Sequence, residues 1–385
     1  MKFSLILVAI SCHFYFAGYA QTYPAFGNEI PVEITGLTFD AMEPFISPDG
    51  NTLFFNSLNS GGNTNLYFAN RINDSTFSFQ GLVNGCYDSS ANHLDGVASA
   101  DIFNNFFWVS MKGYPLFFEN LHRGTYLTGN VYDTTRVYGD FNIPIIGWLI
   151  MDAFISNGGD TLIYCNSYFD FIYNSCGQGM PCEAKLGMAQ KINDSTFNKM
   201  TTSDAVFSSI NDTSYLVYAP HLSPNGLELY YTRLHKGTFN TEICAAVRYN
   251  NSQPFSQPVM IHSNYGFVPE AAAITTDMQK LYYHQKDNSG LFKIFLRYRN
   301  SLNNIAAKNS GNIFNINYNP VSESLVIDAV NYYGNYNVRI VNSSGITVFQ
   351  KKNVITIDLS CYAKGNYIVS ISIENRHQQT IIAIE

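Results

Sequence analysis

The chain has 385 residues, of which 15% are aromatic and only 13% are charged. Its 22 Lys and Arg residues against 29 Asp and Glu residues give a formal net charge of −7. Because phosphate binding requires clustered Lys and Arg, this charge balance argues against nucleic acid as a partner. A chain that is rich in aromatic residues and poor in charge favours strands over exposed helices, so we predict an all-β protein.

Residues 1–20 have the pattern of a secretory signal peptide. Lys2 supplies the positive start, an apolar run follows, and Gly18-Tyr19-Ala20 precedes the expected cleavage point at Gln21. The alternative is a membrane anchor, but polar residues interrupt a run that is already short for a bilayer span. We therefore expect an exported mature chain, secreted or held at the outer cell surface, with no transmembrane anchor after cleavage.

A short turn recurs between pairs of apolar runs. In Ser47-Pro48-Asp49-Gly50, Pro fixes φ at the second position and Gly releases the chain into the strand Leu53-Phe54-Phe55. A weaker copy, one residue longer, begins at Ser99, and three further copies begin at Ser156, Ser223 and Thr275. Five copies at intervals of about 50 to 70 residues indicate a repeat architecture.

Each turn is followed by a third apolar run, and most repeats contain a fourth. The predicted third strands are 65–69, 114–118, 185–189, 242–246 and 293–297. Because the last repeat lacks its own fourth strand, we expect residues 28–34 to supply it and to close the ring. Four-stranded units of this length are typical of propeller blades, so we predict a five-bladed β-propeller over residues 21–299. Six blades would require a hidden repeat within residues 120–147.

The Ser-Pro-Asp-Gly turn with its flanking strands resembles the WD-like propeller repeat of TolB-type proteins. The resemblance covers roughly residues 28–299, and the second and fifth repeats depart from it by lacking Pro-Asp-Gly. It implies a propeller of the kind that is common in secreted bacterial proteins.

The C-terminal part has a different pattern. Residues 300–312 are rich in Asn, Ser and Ala and are predicted to be a linker, and residues 313–385 contain alternating strands sufficient for a small β-sandwich. Several segments resemble the C-terminal sorting domain of type IX secretion substrates in the Bacteroidota: Asn319-Pro320-Val321, Ser344-Gly345, residues 357–360 and residues 364–369. The resemblance implies that the type IX secretion machinery is a partner, although the final strand lacks the Lys that is usual there.

Acidic residues precede the turns at similar spacing. Glu43, Asp95 and Asp152 lie four residues before a turn Ser, Glu270 lies five residues before Thr275, and the fourth repeat has Ala219 instead. Equivalent positions in several blades would bring these carboxylates together at one tunnel mouth, where a Ca²⁺ ion or a polar ligand could bind. The alternative, which we prefer, is that they accept hydrogen bonds from backbone amides. No other cofactor is expected, and the sequence leaves the metal question open.

One loop is longer than its equivalents and is rich in aromatic residues. It contains Tyr168 and Phe171, and Trp148 is expected nearby because it lies four residues before Asp152. Cys176 and Cys182 follow in the same loop, and in an exported protein we predict that they form a disulfide. Exposed rings on such a loop could stack on sugar rings, or they could instead pack beneath the loop.

The sequence contains no familiar catalytic motif, whether of a serine hydrolase, a zinc protease or a phosphate-binding loop. We therefore expect an exported, non-enzymatic propeller that binds a glycan or a protein. The alternative is a carbohydrate-active enzyme that uses two of the four carboxylates as acid and base, by analogy with five-bladed glycoside hydrolases.

Overall fold

The computed structural model describes residues 23–59, 63–86, 94–177, 179–300, 314–319, 323–329, 335–342, 346–373 and 376–384. The chain divides into two compact units, Met1–Arg299 and Asn300–Glu385. The predicted signal peptide and most of the predicted linker lie outside the described residues. Within those residues the regular structure is almost entirely β, with one short helix, α1, at Ser203–Val206.

The strands of the first unit follow one another as antiparallel meanders. Two short strands come first, β1 (Phe26–Pro31) and β2 (Glu33–Thr35). The next two groups of four are β3 (Met42–Ile46), β4 (Thr52–Asn56), β5 (Leu66–Asn73), β6 (Thr76–Leu82), β7 (Asp95–Ala100), β8 (Asn105–Ser110), β9 (Leu121–Leu127) and β10 (Asn130–Arg136). The remaining strands are β11 (Trp148–Ile155), β12 (Thr161–Tyr168), β13 (Glu183–Asn193), β14 (Thr196–Lys199), β15 (Tyr215–Leu222), β16 (Glu228–His235), β17 (Thr241–Val247), β18 (Val259–Ser263), β19 (Glu270–Ile274), β20 (Lys280–Lys286) and β21 (Phe292–Arg299).

Within the described part of the first unit these strands form five sheets, each built around one copy of the recurring turn. A side-chain hydrogen bond explains why Ser or Thr opens the turn in four of them. The Ser47 Oγ accepts the backbone N–H of Thr52 at 2.9 Å. The same bond, from the residue five positions later, forms at Ser156, Ser223 and Thr275. In the second sheet Asp101 takes this role, because its Oδ1 accepts the N–H groups of Phe103 and Asn105.

The strand that follows each turn is buried on both faces, which accounts for its aromatic composition. Leu53, Phe54 and Phe55 are at most 1% exposed, as are the paired tyrosines Tyr230-Tyr231 and Tyr282-Tyr283. Rings from neighbouring sheets meet, as in the contact of 5.0 Å between the ring centroids of Phe54 and Phe106. Buried aromatic side chains of this size dominate the packing between the sheets.

The first strands of the five sheets, here called the inner strands, are β3, β7, β11, β15 and β19. Each inner strand contacts the next, and β19 contacts β3. The N-terminal strand β1 pairs antiparallel with β21 and completes the last sheet, which confirms the predicted pairing for residues 28–31 but not for residues 33 and 34. The following strand β2 pairs parallel with β6 of the first sheet, so the N-terminal segment joins the last sheet to the first.

The predicted third strand at residues 114–118 is wrong, because these residues form turns and a loop. The third and fourth strands of the second sheet are β9 and β10, which lie within the stretch 120–147. A hidden sixth repeat in that stretch is therefore also wrong. The Pro115 that follows Tyr114 was the available signal, since a proline has no N–H for a sheet ladder and is disfavoured inside a strand.

The described residues of the second unit form two sheets. Its strands are β22 (Phe314–Asn319), β23 (Ser324–Ala329), β24 (Asn337–Asn342), β25 (Thr347–Lys352), β26 (Thr356–Asp358), β27 (Gly365–Ile373) and β28 (Arg376–Ile384). The sheet β22-β23-β26 and the sheet β25-β24-β27-β28 share one hydrophobic core, to which Leu325 and Ile327 contribute from one sheet and Val338 and Val369 from the other. Two layers around one core are the architecture of a small β-sandwich.

Candidate functional site

A bulge interrupts every inner strand and positions the carboxylates. The pairing register shifts within β3, β7, β11, β15 and β19. Glu43 lies in the bulge of β3 with a φ of 52°, and Ala219 and Ala271 have similar positive φ values in β15 and β19. Because non-glycine residues rarely adopt positive φ, this repeated backbone feature indicates a constrained centre.

Glu43 and Glu270 are connected by His284, which lies on β20 and has no exposed side-chain surface. The Nδ1 of His284 accepts the backbone N–H of Glu43 at 2.9 Å, so in a neutral ring the proton is on Nε2. That Nε2 lies 3.3 Å from Glu270 Oε2, and the hydroxyl of Tyr218 donates to Glu270 Oε1. The second partner of Glu43 is Asn59, whose Nδ2 donates to Glu43 Oε1 at 3.0 Å.

Asp152 reaches the same centre from β11. It is 2% exposed, and its Oδ2 accepts the backbone N–H of Ala219 at 3.2 Å. The sequence favours carboxylates that accept hydrogen bonds from backbone amides over carboxylates that bind a ligand, and Asp152 makes such a bond. Residues of all five inner strands, Glu43 and Asp152 among them, line a cavity of about 30 Å³, which is room for a water molecule or two.

Burial and mutual repulsion raise the pKa values of Glu43 and Asp152. Burial, followed by the charges of Asp152 and Glu270, raises the pKa of Glu43 to about 8. Burial and the charge of Glu270 raise the pKa of Asp152 to about 7, against the lowering effect of its bond to Ala219. Burial and the neighbouring carboxylates also raise the pKa of Tyr218 well above its usual range. Near neutral pH the centre therefore retains protons that exposed carboxylates would have lost.

Asp95 does not share the position of Glu43 and Asp152, and Glu270 lies one residue before the equivalent position in β19, which is Ala271. Ala100 of β7 and Ile46 of β3 occupy equivalent positions, because each pairs with the first buried residue of the second strand in its sheet. Counting back three residues from each shows that Val97, rather than Asp95, is equivalent to Glu43. The equal spacing in the sequence is misleading because the turn of the second sheet opens at Asp101 and not at Ser99. Asp95 is buried beside Cys86, whose pKa is raised by burial and by the charge of Asp95.

Among the described residues, no group of three or more His, Cys, Asp or Glu side chains is arranged to hold a metal ion. The calcium hypothesis therefore has no support in this part of the chain. The three converging groups, Glu43, Asp152 and Glu270, together with Tyr218 and His284, are called the axial cluster below. Sequence reasoning missed Tyr218 and His284, which lie on strands that carry no acidic residue in the turn pattern.

The predicted aromatic residues of the long loop come together at the surface. Trp148 at the start of β11 pairs with Tyr168 at the end of β12, and their ring centroids are 5.5 Å apart. Phe169 and Phe171 stack nearly parallel with centroids 5.7 Å apart. Phe171 is 50% exposed and Tyr173 is 82% exposed, so these two rings do not pack beneath the loop.

Tyr114, which sequence reasoning placed in a strand, connects three loops. Its hydroxyl accepts the backbone N–H of Gly147 at 2.7 Å and donates to the carbonyl of Trp148 at 3.1 Å. Its ring contacts Phe171 edge-on, with centroids 6.1 Å apart. The loops that meet there expose seven large apolar side chains, here called the apolar patch: Leu116, Phe117, Ile145, Ile146, Phe171, Ile172 and Tyr173.

Local bonds fix the conformation of the aromatic loop. The carboxylate of Asp170 accepts the backbone N–H groups of Tyr173 at 3.0 Å and Ile172 at 3.2 Å. These hydrogen bonds hold the pKa of Asp170 below its usual range. The predicted disulfide between Cys176 and Cys182 is confirmed and closes the second half of the loop. The exposed rings are therefore held on a braced loop rather than on a flexible one.

Residues 315–385 match the family model of the secretion system C-terminal sorting domain. This match identifies the C-terminal segment as a type IX sorting domain and indicates that the protein is secreted or attached to the cell surface. This match does not extend to the first unit, so it does not show the WD-like repeats of the TolB type there. Within the described residues, no helix has the length and apolar character required to cross a membrane.

Several solved structures resemble the chain at low sequence identity. The catalytic domain of the GH62 α-L-arabinofuranosidase from Coprinopsis cinerea is 12% identical, with a TM-score of 0.44, and the match covers 72% of this chain and 97% of that one. An endo-arabinase from Bacteroides thetaiotaomicron is 13% identical, with a TM-score of 0.42 and coverage of 71% and 98%. A family 117 glycoside hydrolase from Zobellia galactanivorans is 9% identical, with a TM-score of 0.46 and coverage of 72% and 90%. These values are too low to transfer a substrate or a catalytic residue, and no curated protein matches the sequence.

Proposed function

We propose that the first unit is a closed five-bladed β-propeller that acts as a binding module outside the cell. Two features support closure: the inner strands contact one another in cyclic order, and β1 and β2 join the last sheet to the first. In this proposal the axial cluster lies at the tunnel mouth. The loops of the apolar patch lie on the same face, because in a four-stranded meander the loops after the second and fourth strands leave at the end where the inner strand begins.

The observation that carries the binding function is the apolar patch. Seven large apolar side chains between 50% and 86% exposed are contributed by three loops that meet at Tyr114. Exposed apolar surface of this kind is costly in water and marks an interaction site. Because the loop is braced by Asp170 and by the disulfide, little conformational entropy is lost when a partner binds.

The chemistry of the patch favours a protein ligand over a glycan. Four of its seven members, Leu116, Ile145, Ile146 and Ile172, are aliphatic and offer no ring face for a sugar. Aromatic and aliphatic side chains around a central anchor are typical of the energetic centre of protein–protein interfaces. The type IX sorting domain delivers this surface to the cell exterior, where the partner would be another exported or host protein.

Hydrolysis of a glycan is the alternative, and the axial cavity argues against it. A sugar ring does not fit in about 30 Å³, and the pocket volumes of small-molecule sites are roughly tenfold larger. Asp152, the most buried carboxyl group of the axial cluster, is already bonded to a backbone amide. We therefore expect no turnover from the mature protein in a panel of glycoside substrates. Turnover that Asp152→Asn abolishes without unfolding the protein would establish the enzyme instead.

The binding proposal is tested by comparing matched aspartate substitutions. Phe171→Asp/Tyr173→Asp places charge in the apolar patch, and Tyr132→Asp places the same charge on an exposed tyrosine of β10 outside it. Proteins recovered on the immobilised mature protein are identified and their affinities are measured with the purified partner. We expect a partner that the wild type and the Tyr132 variant retain and the patch variant loses. Equal binding by all three, or binding of the wild type to a glycan array alone, contradicts a protein-docking patch.

A further inference from the structure

A second cleft lies between the loop joining β16 to β17 and the loop joining β18 to β19. Its volume is about 320 Å³, within the range of small-ligand sites. The residues that line it and bear on its chemistry are Phe239, Asn240, Thr241, Glu242, Asn264 and Tyr265. None of these residues belongs to the axial cluster or to the apolar patch.

Two aromatic rings are displayed at this cleft. Tyr265 is 83% exposed and Phe239 is 59% exposed. Phe239 has a φ of 57°, which is rare for a bulky residue, and a hydrogen bond of 2.8 Å from its N–H to the carbonyl of His235 holds this conformation. A strained backbone that keeps an apolar ring in water is expected where the ring has a function.

Most of the other residues that line the cleft are polar, and its one acidic group is paired with a cation. Glu242 forms an ion pair with Arg233 at 2.7 Å, and the guanidinium of Arg233 also lies 4.5 Å from the ring centre of Tyr215. Thr241 is 5% exposed, and within the described part of the chain its hydroxyl has no hydrogen-bond partner. The hydroxyl itself is enclosed by protein, so the polar side chains that a ligand in the cleft can reach are Asn240 and Asn264.

We propose that this cleft binds a neutral sugar unit. A pyranose or furanose ring has an apolar C–H face that suits Tyr265 and Phe239, and a polar edge that suits Asn240 and Asn264. A charged ligand has no counterion there, because Glu242 is already paired with Arg233. The inference goes beyond the proposed function, since it assigns a separate site with a different ligand class.

Saturation-transfer NMR on the full mature chain tests the site, with methyl glycosides of neutral hexoses and pentoses as probes. We expect transfer to at least one glycoside in the wild type and in Tyr132→Ala, and loss of transfer in Phe239→Ala/Tyr265→Ala. The patch variant Phe171→Asp/Tyr173→Asp is expected to keep the transfer, so failure of this inference is distinguishable from failure of the protein-docking proposal. No transfer to any glycoside, or equal transfer in the cleft variant, would overturn the site.

Discussion

The axial cluster buries ionisable side chains, whereas the apolar patch exposes apolar ones, and both are unusual in a folded protein. At the axis, Glu43 and Asp152 line a cavity of about 30 Å³, and the Glu270 carboxyl group lies 3.3 Å from the buried His284. At the patch, Phe171 and Tyr173 expose rings that are normally buried. Charged residues are seldom buried unless they are paired, and large exposed apolar surfaces are seldom retained without a partner.

The axial cluster and the apolar patch are expected to control different properties of the protein. The axial cluster lies on paired strands whose bulges fix the backbone, so a change there acts on the whole ring of inner strands. The patch lies on loops whose conformation is fixed locally, by Asp170 and by the disulfide between Cys176 and Cys182. We therefore expect axial substitutions to alter stability and patch substitutions to alter binding.

The largest expected effect is the response of stability to pH. The pKa values of Glu43, about 8, and Asp152, about 7, are raised above those of the unfolded chain. Their protonated forms thus contribute stability at low pH that is lost as pH rises through 7 and 8. We expect the free energy of unfolding to fall between about pH 6.5 and 8.5 by an amount on the order of a few kcal/mol. Denaturant unfolding across this range measures it.

The matched control is Glu43→Gln/Asp152→Asn, which keeps the shape of the protonated groups. This variant should be more stable than the wild type at pH 8.5, and its stability should depend less on pH. The pH range begins at about 6.5 because two buried histidines have the opposite effect on the free energy of unfolding below that pH. Burial lowers the pKa of His122 to about 4 and that of His221 to about 3. Parallel pH curves for variant and wild type would show that the carboxylates are not the cause.

The second largest effect is expected on binding affinity and not on the free energy of unfolding. Phe171→Asp/Tyr173→Asp removes two of the three rings of the patch, and an interface residue that dominates binding contributes roughly 2 kcal/mol or more when truncated. Because both side chains are at least half exposed, the free energy of unfolding should change by less than about 0.5 kcal/mol. Measuring affinity and denaturant unfolding on the same preparations separates the two. A large loss of stability would place these rings in the packing of the fold instead.

The strand pattern was predictable because each repeat obeys a local rule. A hydroxyl or carboxylate opens the turn and a doubly buried aromatic strand follows, so spacing alone locates four of the five sheets correctly. The rule fails at the second sheet, where Asp101 replaces Ser and shifts the count, and this shift is why Asp95 was grouped wrongly with Glu43. The pattern also predicted the pairing of β1 with β21, since it left the last sheet one strand short.

The rest of the candidate site depends on contacts that no local pattern encodes. His284 and Tyr218 join the axial cluster from strands whose own sequence carries no acidic signal. Tyr114 connects three loops through its hydroxyl, although its neighbours are apolar enough to suggest a strand. These contacts are set by how sheets pack, so only the folded chain reveals them.

A smaller effect is expected from Tyr218→Phe. The substitution removes the hydroxyl that donates to Glu270 Oε1 and leaves the ring in place. Loss of a hydrogen bond to a carboxylate in a buried setting should reduce the free energy of unfolding by about 1–2 kcal/mol. Chemical denaturation at pH 8 measures it, with Tyr132→Phe on the exposed face of β10 as the control that should be neutral. A neutral Tyr218→Phe would mean that water replaces the hydroxyl.

The smallest effect should come from opening the disulfide. Cys176→Ser/Cys182→Ser releases a loop with a sequence separation of only six residues, at the edge of the patch rather than in a sheet. The Asp170 hydrogen bonds remain, so the loop keeps part of its conformation, and we expect affinity for the patch ligand to fall by a few-fold, about 0.5–1 kcal/mol. Global unfolding should hardly change, because the loop can open without the sheets. If the variant instead lost several kcal/mol of global stability, the loop would be part of the cooperative fold, and the division between a structural axis and a locally braced binding surface would not hold.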